Sequence, residues 1–237
     1  MVSIVIPCYN SEYLSDAVVS CNLQNYENIE IIIVDDNPVD RQLTNKPKNT
    51  KFIYNKENMG VSYSRNAGIK AAKGEYIITL DADDMLTKDS ISGRIRMFEA
   101  QPELEVIYGF MLKVHGDISY GDTLRGTWKR HPSEFTAPIY RRSVFEKYGL
   151  FHEPLRSKED KEFSYRLGVH RKSPLKHVVK YKKAEKDVYY YRRHPEAKRK
   201  KRATDLMFDI YTCMEFDKRV MQLRREGITP DNTEFLK

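Results

Sequence analysis

The chain has 237 residues, 40% of them hydrophobic and 11% aromatic, and a formal net charge of +7; this excludes a disordered polymer and leaves room for one large domain, or one domain with an appendage. No apolar run approaches the roughly 18 residues of a membrane span, and the three cysteines (Cys8, Cys21 and Cys213) lack metal-ligand spacing. Met1-Val2-Ser3 runs straight into Ile4-Val5-Ile6 without a basic leader, so the expected setting is the reducing cytoplasm, with peripheral attachment at the inner membrane face, or a host cytoplasm for a viral protein, as variants.

The first apolar run, Val2–Ile6, reads as a strand ended by Pro7. Ser11 is placed to cap a helix over residues 12–25, with Leu14, Ala17, Val18 and Cys21 at helical spacing. Glu30–Val34 is a second buried strand, stopped by Asp35-Asp36-Asn37-Pro38, and Lys51–Tyr54 a third. A turn at Asn58-Met59-Gly60 leads into a helix over Val61–Ala72, closed by Lys73-Gly74. Tyr76–Leu80 is a fourth strand, Thr87 opens a helix reaching Ala100, and Val106–Phe110 is a fifth strand. This alternation predicts an α/β fold with a mostly parallel sheet flanked by helices.

The pattern then loosens. Residues 111–135 suggest loops or a small antiparallel ribbon, followed by short helices over Arg141–Tyr148 and Lys158–Leu167 and a late strand over Val188–Tyr191. The lysine-rich stretch 196–202 reads as a linker, and Ala203–Arg225 as a long helix packed by its aromatic and Met stripe. Residues 170–202 hold 14 Lys or Arg against three acids, while the rest of the chain sums to −4. Such asymmetry suits a solvated face or an anionic partner, either DNA or an anionic membrane surface.

Polar clusters follow the strands: Tyr9-Asn10, Asp35-Asp36, Asn58 with Arg65, and Asp81-Ala82-Asp83-Asp84. In a parallel sheet these share the carboxyl edge, where open α/β sheets bind ligands. Carboxylates at i and i+2 of an extended chain face the same way. Asp81 and Asp83 can thus serve a sugar hydroxyl and a hard divalent cation together. A surface turn rich in Asp is the plainer alternative.

Four blocks resemble the family-2 glycosyltransferases of the GT-A fold. They are Val2-Ser3-Ile4-Val5-Ile6-Pro7-Cys8-Tyr9-Asn10, Ile33-Val34-Asp35-Asp36, Asn58 through Gly68 (NMGVSYSRNAG), and Gly74 through Asp84 (GEYIITLDADD). Weaker matches continue at Ala137–Arg142, Glu159-Asp160 and Tyr191–His194. The resemblance implies a glycosyltransferase domain over 1–195, with a nucleotide-sugar half (1–110) and an acceptor half (111–195), followed by a basic, helical extension over 196–237.

The resemblance also implies roles. Pro7, Tyr9 and Asn10 would wall the nucleoside pocket, with Tyr9 stacking on the base. Asp36 would contact the base or ribose, Arg65 the base or diphosphate, and Asp81 the ribose. Asp83, with His194, would hold Mn²⁺ or Mg²⁺ against the diphosphate, and Asp160 would be the general base of an inverting transfer. A UDP-sugar is the implied donor. After His194 the chain departs from the family pattern with Pro195-Glu196-Ala197 and five basic residues, which leaves the acceptor open. It can be a cell-surface glycan or its lipid-linked precursor, a protein, or a hydroxymethylated base in DNA, flipped out of its duplex. A catalytically inactive nucleic-acid-binding module and a nucleotidyltransferase are the competing classes; intact Asp81, Asp83 and Asp160 oppose the first, and the Asn58–Gly68 block opposes the second.

Overall fold

The computed structural model describes residues 1–37, 50–115, 129–155, 158–169, 173 and 178–193. Within them lie β1 (Val2–Cys8), α1 (Leu14–Asn22), β2 (Ile29–Asp35), β3 (Thr50–Tyr54), α2 (Val61–Ala71), β4 (Tyr76–Thr79), β5 (Met85–Leu86), α3 (Ser90–Ala100), β6 (Val106–His115), β7 (Lys129–Arg141), α4 (Arg142–Tyr148), α5 (Glu159–Arg166) and β8 (Tyr181–Arg193). The strands form one sheet in the order β3-β2-β1-β4-β7-β6-β8-β5. β3, β2, β1 and β4 pair in parallel, and β7 enters antiparallel to both β4 and β6. β8 runs parallel to β6, and β5 antiparallel to β8. Only β7 and β5 therefore oppose the common direction, and the mostly parallel sheet expected from the sequence is the one observed.

The Ile and Val runs are continuous because the central strands are covered on both faces. Ile4, Ile6, Ile31, Ile33 and Ile78 pack against α1 and α3. Val5, Ile32, Val34 and Ile77 face the other way, toward α2, α4 and α5. Gly68 lets α2 sit directly on β1: a Cβ there would overlap Val5 Cγ1 and lie 3.2 Å from Val34 Cγ2. Cys8 and Cys21 are free and buried, and burial pushes the Cys21 thiol up to about 12, so it remains an unreactive packing group.

Several boundaries differ from the sequence reading for local reasons. Pro7 does not end β1; it pairs with Val34 and the strand runs to Cys8. Cys8 turns its carbonyl toward β2, where it accepts the Asp36 N–H at 2.8 Å, so Pro7 faces the opposite side. There the ladder with β4 has stopped at Val5–Thr79, and the missing N–H costs nothing. Ser11 does not cap α1, which starts at Leu14; its Oγ donates instead to the Ala82 carbonyl at 3.0 Å. α3 begins at Ser90 after Asp89, and its first N–H, that of Ser90, donates to the Thr87 carbonyl at 3.0 Å. The ribbon after β6 is real, since β6 and β7 form an antiparallel pair with register shifts near Gly109. Beside those shifts Ala137 takes a left-handed φ of 39°, and the buried Arg94 donates to its carbonyl. The other bonds of Arg94 go to Ser90 O and Ser90 Oγ, both neutral oxygens, and burial pushes its pKa down to about 9. The expected helix at 203–225 and linker at 196–202 lie outside the described residues.

Replacing Gly68 by Ala is expected to cost about 1–3 kcal/mol, the usual penalty of overpacking a filled core. Urea unfolding of the two proteins measures it, and an unchanged midpoint would show that α2 can lift off β1 without loss.

Candidate active site

Parallel register puts the strand ends level. Cys8 pairs with Asp35, and Asp35 with Tyr54, while the Leu80 N–H donates to the Val5 carbonyl. Tyr9, Asp36, Asn55 and the Asp81–Asp84 turn therefore emerge along one edge, as the order of polar clusters predicts. Tyr9 stands out into solvent, 56% exposed, directly after β1. Asn10 follows with a left-handed φ of 49°, and its Oδ1 accepts from Asn37 Nδ2.

Asp36 is buried and already engaged. Its Oδ1 accepts from Asn55 Nδ2 at 2.7 Å and from the Met59 N–H at 2.8 Å, and its Oδ2 from the Gly60 N–H at 2.8 Å. An ionised carboxylate has about four acceptor positions, so three bonds to the loop before α2 leave one for a ligand. Asp36 thus fixes the loop before α2 and keeps one acceptor position at the sheet edge. Gly60, at φ 89°, supplies the left-handed turn that starts α2.

Arg65 sits at the centre. It is 6% exposed and reaches two acids from opposite ends of its guanidinium: Nη2 meets Asp81 Oδ1 at 2.6 Å and Nη1 meets Glu159. Burial alone would lower its pKa, but the charges of Glu159, Asp81 and Asp160 outweigh this and raise it. Burial raises the Glu159 pKa, with Arg65 opposing and Asp160 reinforcing the rise. The arginine is neither an exposed helix salt bridge nor a group turned wholly toward a ligand; it joins the end of β4 to the start of α5.

Glu159 and Asp160 are adjacent in sequence and opposite in environment. Lys158 takes φ 61°, which turns the chain so that Glu159 points inward. Asp160 is exposed and accepts the Lys161 N–H at 2.8 Å. It lies near enough to act on the charges of Arg65 and Glu159.

The Asp81–Asp84 turn divides its labour. One oxygen from each of Asp81, Asp83 and Asp84 lies within 4.8 Å of the others. Such a set of hard oxygen donors fits Mg²⁺ or Mn²⁺. Asp81 and Asp83 are half-buried, whereas Asp84 is 1% exposed. Asp84 accepts from Tyr189 Oη and, at 2.8 Å, from the Arg192 N–H. Burial, then the charges of Asp83 and Asp81, pushes its pKa well up. Arg192 completes the anchor. Its Nε donates to the Asp83 carbonyl at 3.1 Å, its Nη2 to Asp16 Oδ2 at 2.6 Å, and its guanidinium lies 4.2 Å from the Tyr13 ring centre. The sequence assigns no role to Asp84, Tyr189, Arg192, Asn55 or Glu159, although Asp84 stands in the acid cluster and Glu159 and Arg192 stand in the weaker family matches. His194 lies outside the described residues.

Comparison with known proteins identifies the family and the fold. The sequence profile of "Glycosyl transferase family 2" matches residues 3–152. An uncharacterized glycosyltransferase of Haemophilus influenzae is 30% identical over 129 residues, covering 52% of this chain and 48% of that protein. The Escherichia coli protein WfaP, a UDP-Glc:alpha-D-GlcNAc-diphosphoundecaprenol beta-1,3-glucosyltransferase, is 41% identical over 106 residues, covering 43% and 42%. The structure of S. aureus TarS 1-349 in complex with UDP superposes with a TM-score of 0.64 at 23% identity, covering 82% of this chain and 61% of that one. The chain thus spans about half the length of the curated relatives it matches. Among the described residues no helix is long and apolar enough to cross a membrane.

If Asp84 is an anchor, Asp84→Ala strands a tyrosine hydroxyl and a backbone N–H in the interior, each costing about 1–3 kcal/mol. Asp84→Asn keeps an acceptor for Arg192 and is expected to lose less. Urea denaturation of both variants in EDTA checks the order; equal stabilities would refute it.

Proposed function

Because the chain belongs to glycosyl transferase family 2, we propose that it transfers a sugar, with inversion, from a nucleotide diphosphate sugar to an acceptor hydroxyl. The observation that carries this reading is the convergence on Arg65: one guanidinium draws the Asp81–Asp84 turn and the first residues of α5 together. Donor-binding carboxylates and a solvent-facing acid thereby share one cleft edge.

In this reading Tyr9 offers its exposed ring to the base, with Pro7 and Asn10 beside it. Asp36 presents its remaining lone pair to the base or ribose, and Asp81 takes a ribose hydroxyl. Arg65 supplies positive charge behind them. Asp83 would hold a divalent cation, with His194 as a further candidate ligand, and that cation would neutralise charge on the departing diphosphate. Asp160 is the base. As the acceptor oxygen bonds to the anomeric carbon, the bond from that carbon to the diphosphate breaks. The hydroxyl proton passes to the Asp160 carboxylate, and the nucleoside diphosphate leaves with the electron pair. Its exposure suits Asp160 to the task, since a base must meet an acceptor arriving from solvent; Glu159, turned inward, cannot.

A UDP-sugar is the donor we infer, supported by the UDP complex of the structural neighbour and the UDP-glucose in the name of WfaP. The WfaP name also favours a glycan or lipid-diphosphate acceptor over a base in DNA. The DNA reading rests on the charge of residues 170–202, part of which lies outside the described residues; salt-dependent duplex binding by the protein would revive it.

Hydrolysis of UDP-, GDP- and dTDP-sugars with Mn²⁺ tests the enzyme and its donor together; no turnover of any would sink the proposal. Asp83→Ala is expected to abolish metal-dependent UDP binding while the protein stays folded, as checked by calorimetry with and without EDTA. Asp160→Asn should lower turnover by about 10²–10⁴-fold with UDP affinity unchanged. A collapse of affinity instead would make Asp160 a binding residue.

A further inference from the structure

The donor reading of the Asn58–Gly68 block leaves most of the polar residues of α2 unexplained. Three of them turn toward the segment that leads into α5. Ser62 Oγ donates to the Leu155 carbonyl at 2.6 Å. Asn66 Nδ2 donates to the Phe151 carbonyl at 2.8 Å and to Glu153 Oε1 at 3.0 Å, and its Oδ1 accepts the Phe151 N–H at 3.0 Å. Arg65 meets Glu159 and lies over the Phe151 ring, 5.5 Å from its centre. Ser62 and Asn66 are no more than 1% exposed.

We propose that α2 is the element that sets the base against the donor, with Glu159 and Arg65 as its positioning residues; this rests on the transferase reading above. Four points of the chain (151, 153, 155 and 159) are fixed to one helix face, and the last of them, the Arg65–Glu159 pair, holds the first residue of α5 itself. The last point is shared with the donor side. A guanidinium is a planar fork whose two outer nitrogens keep a fixed separation. With one end on Asp81 and the other on Glu159, it acts as a spacer between the two carboxylates. Asp160 is the next residue after Glu159, so its distance from the donor is set through the same spacer. Gly68 seats the helix on β1, and through β1 on the strand ends that carry Tyr9 and Asp36.

The test is Glu159→Gln, which keeps shape and removes the charge that Arg65 holds. The expected result is UDP affinity equal to wild type and turnover reduced by about 10²-fold, the effect of misplacing a catalytic group by an ångström or so. Amide exchange across residues 159–166 should quicken. Ser62→Ala loosens the same clamp from its other end and should show the same split, smaller in size. It also stands in should Glu159→Gln fail to fold. Equal losses of UDP affinity and turnover would place Glu159 in the donor site and overturn the proposal. So would lower stability with turnover and α5 exchange unchanged. If the wild type turns over no nucleotide sugar, the transferase reading fails by itself, and unchanged α5 exchange in Glu159→Gln would still refute the clamp.

Discussion

One buried cation organises this protein. Taking a guanidinium out of water costs several kcal/mol even after the surroundings relax, and Arg65 is buried. The cost is tolerable only if acids come with it, so the fold must bring Asp81 and Glu159 to the same place. They belong to different parts of the chain: Glu159 is 94 residues from Arg65 in sequence. Any arrangement that separated β4 from α5 would strand at least one charge in the interior. The ion triad is therefore weak evidence for stability and stronger evidence for geometry, since breaking it costs far more than forming it gains.

The charge count at the sheet edge follows from that geometry. Among the described residues Asp81, Glu159 and Asp160 lie around Arg65, Asp83 and Asp84 stand beside Asp81, and Arg192 is a further cation next to those two. Arg192 places one nitrogen on Asp16 and another on the Asp83 backbone carbonyl. The edge is left rich in acid. The rising pKa of Asp84, driven first by burial and then by Asp83 and Asp81, is one symptom. Under the proposed function a divalent cation would relieve this surplus and ease the approach of an anionic diphosphate, which is the part the acid cluster would play there.

Much of the architecture was legible because the central strands are buried on both faces. β1, β2 and β4 appear as unbroken Ile and Val runs, and their polar followers mark the edge. The parts that were not legible have local or non-local causes. Pro7 reads as a strand breaker, and only the pairing shows that its side of the ladder has already ended. β5 is two residues long, too short for any period. The first half of β8 is rich in Lys and Glu and shows no apolar alternation, so only its Tyr-rich end is legible in the sequence. The insertion of β7 between β4 and β6 is a long-range pairing that no local pattern encodes. At the site, Asp81 and Asp83 were visible as a cluster, but the partners of Asp84 lie 105 and 108 residues away. The block from Asn58 to Gly68 was recognisable as a motif, yet its contacts with residues 151–159 were not.

The Glu159–Asp160 pair shows how little sequence separates a structural acid from a reactive one. Either side chain could accept a proton, and either suits the first turn of a helix, where the dipole favours acids. The distinction is made by a backbone angle one residue earlier. Lys158 in the left-handed region commits the helix to one rotational setting, which sends Glu159 to Arg65 and leaves Asp160 in water. A non-glycine residue held at such an angle is strained, and the strain persists here because the buried ion pair beyond it fixes the setting. On the proposed mechanism exposure then decides function: the inward acid is taken up by charge compensation, and the outward one has room for an acceptor. The same interaction that makes burial of Arg65 affordable would thereby also select which of two neighbouring carboxylates is left to act as the base.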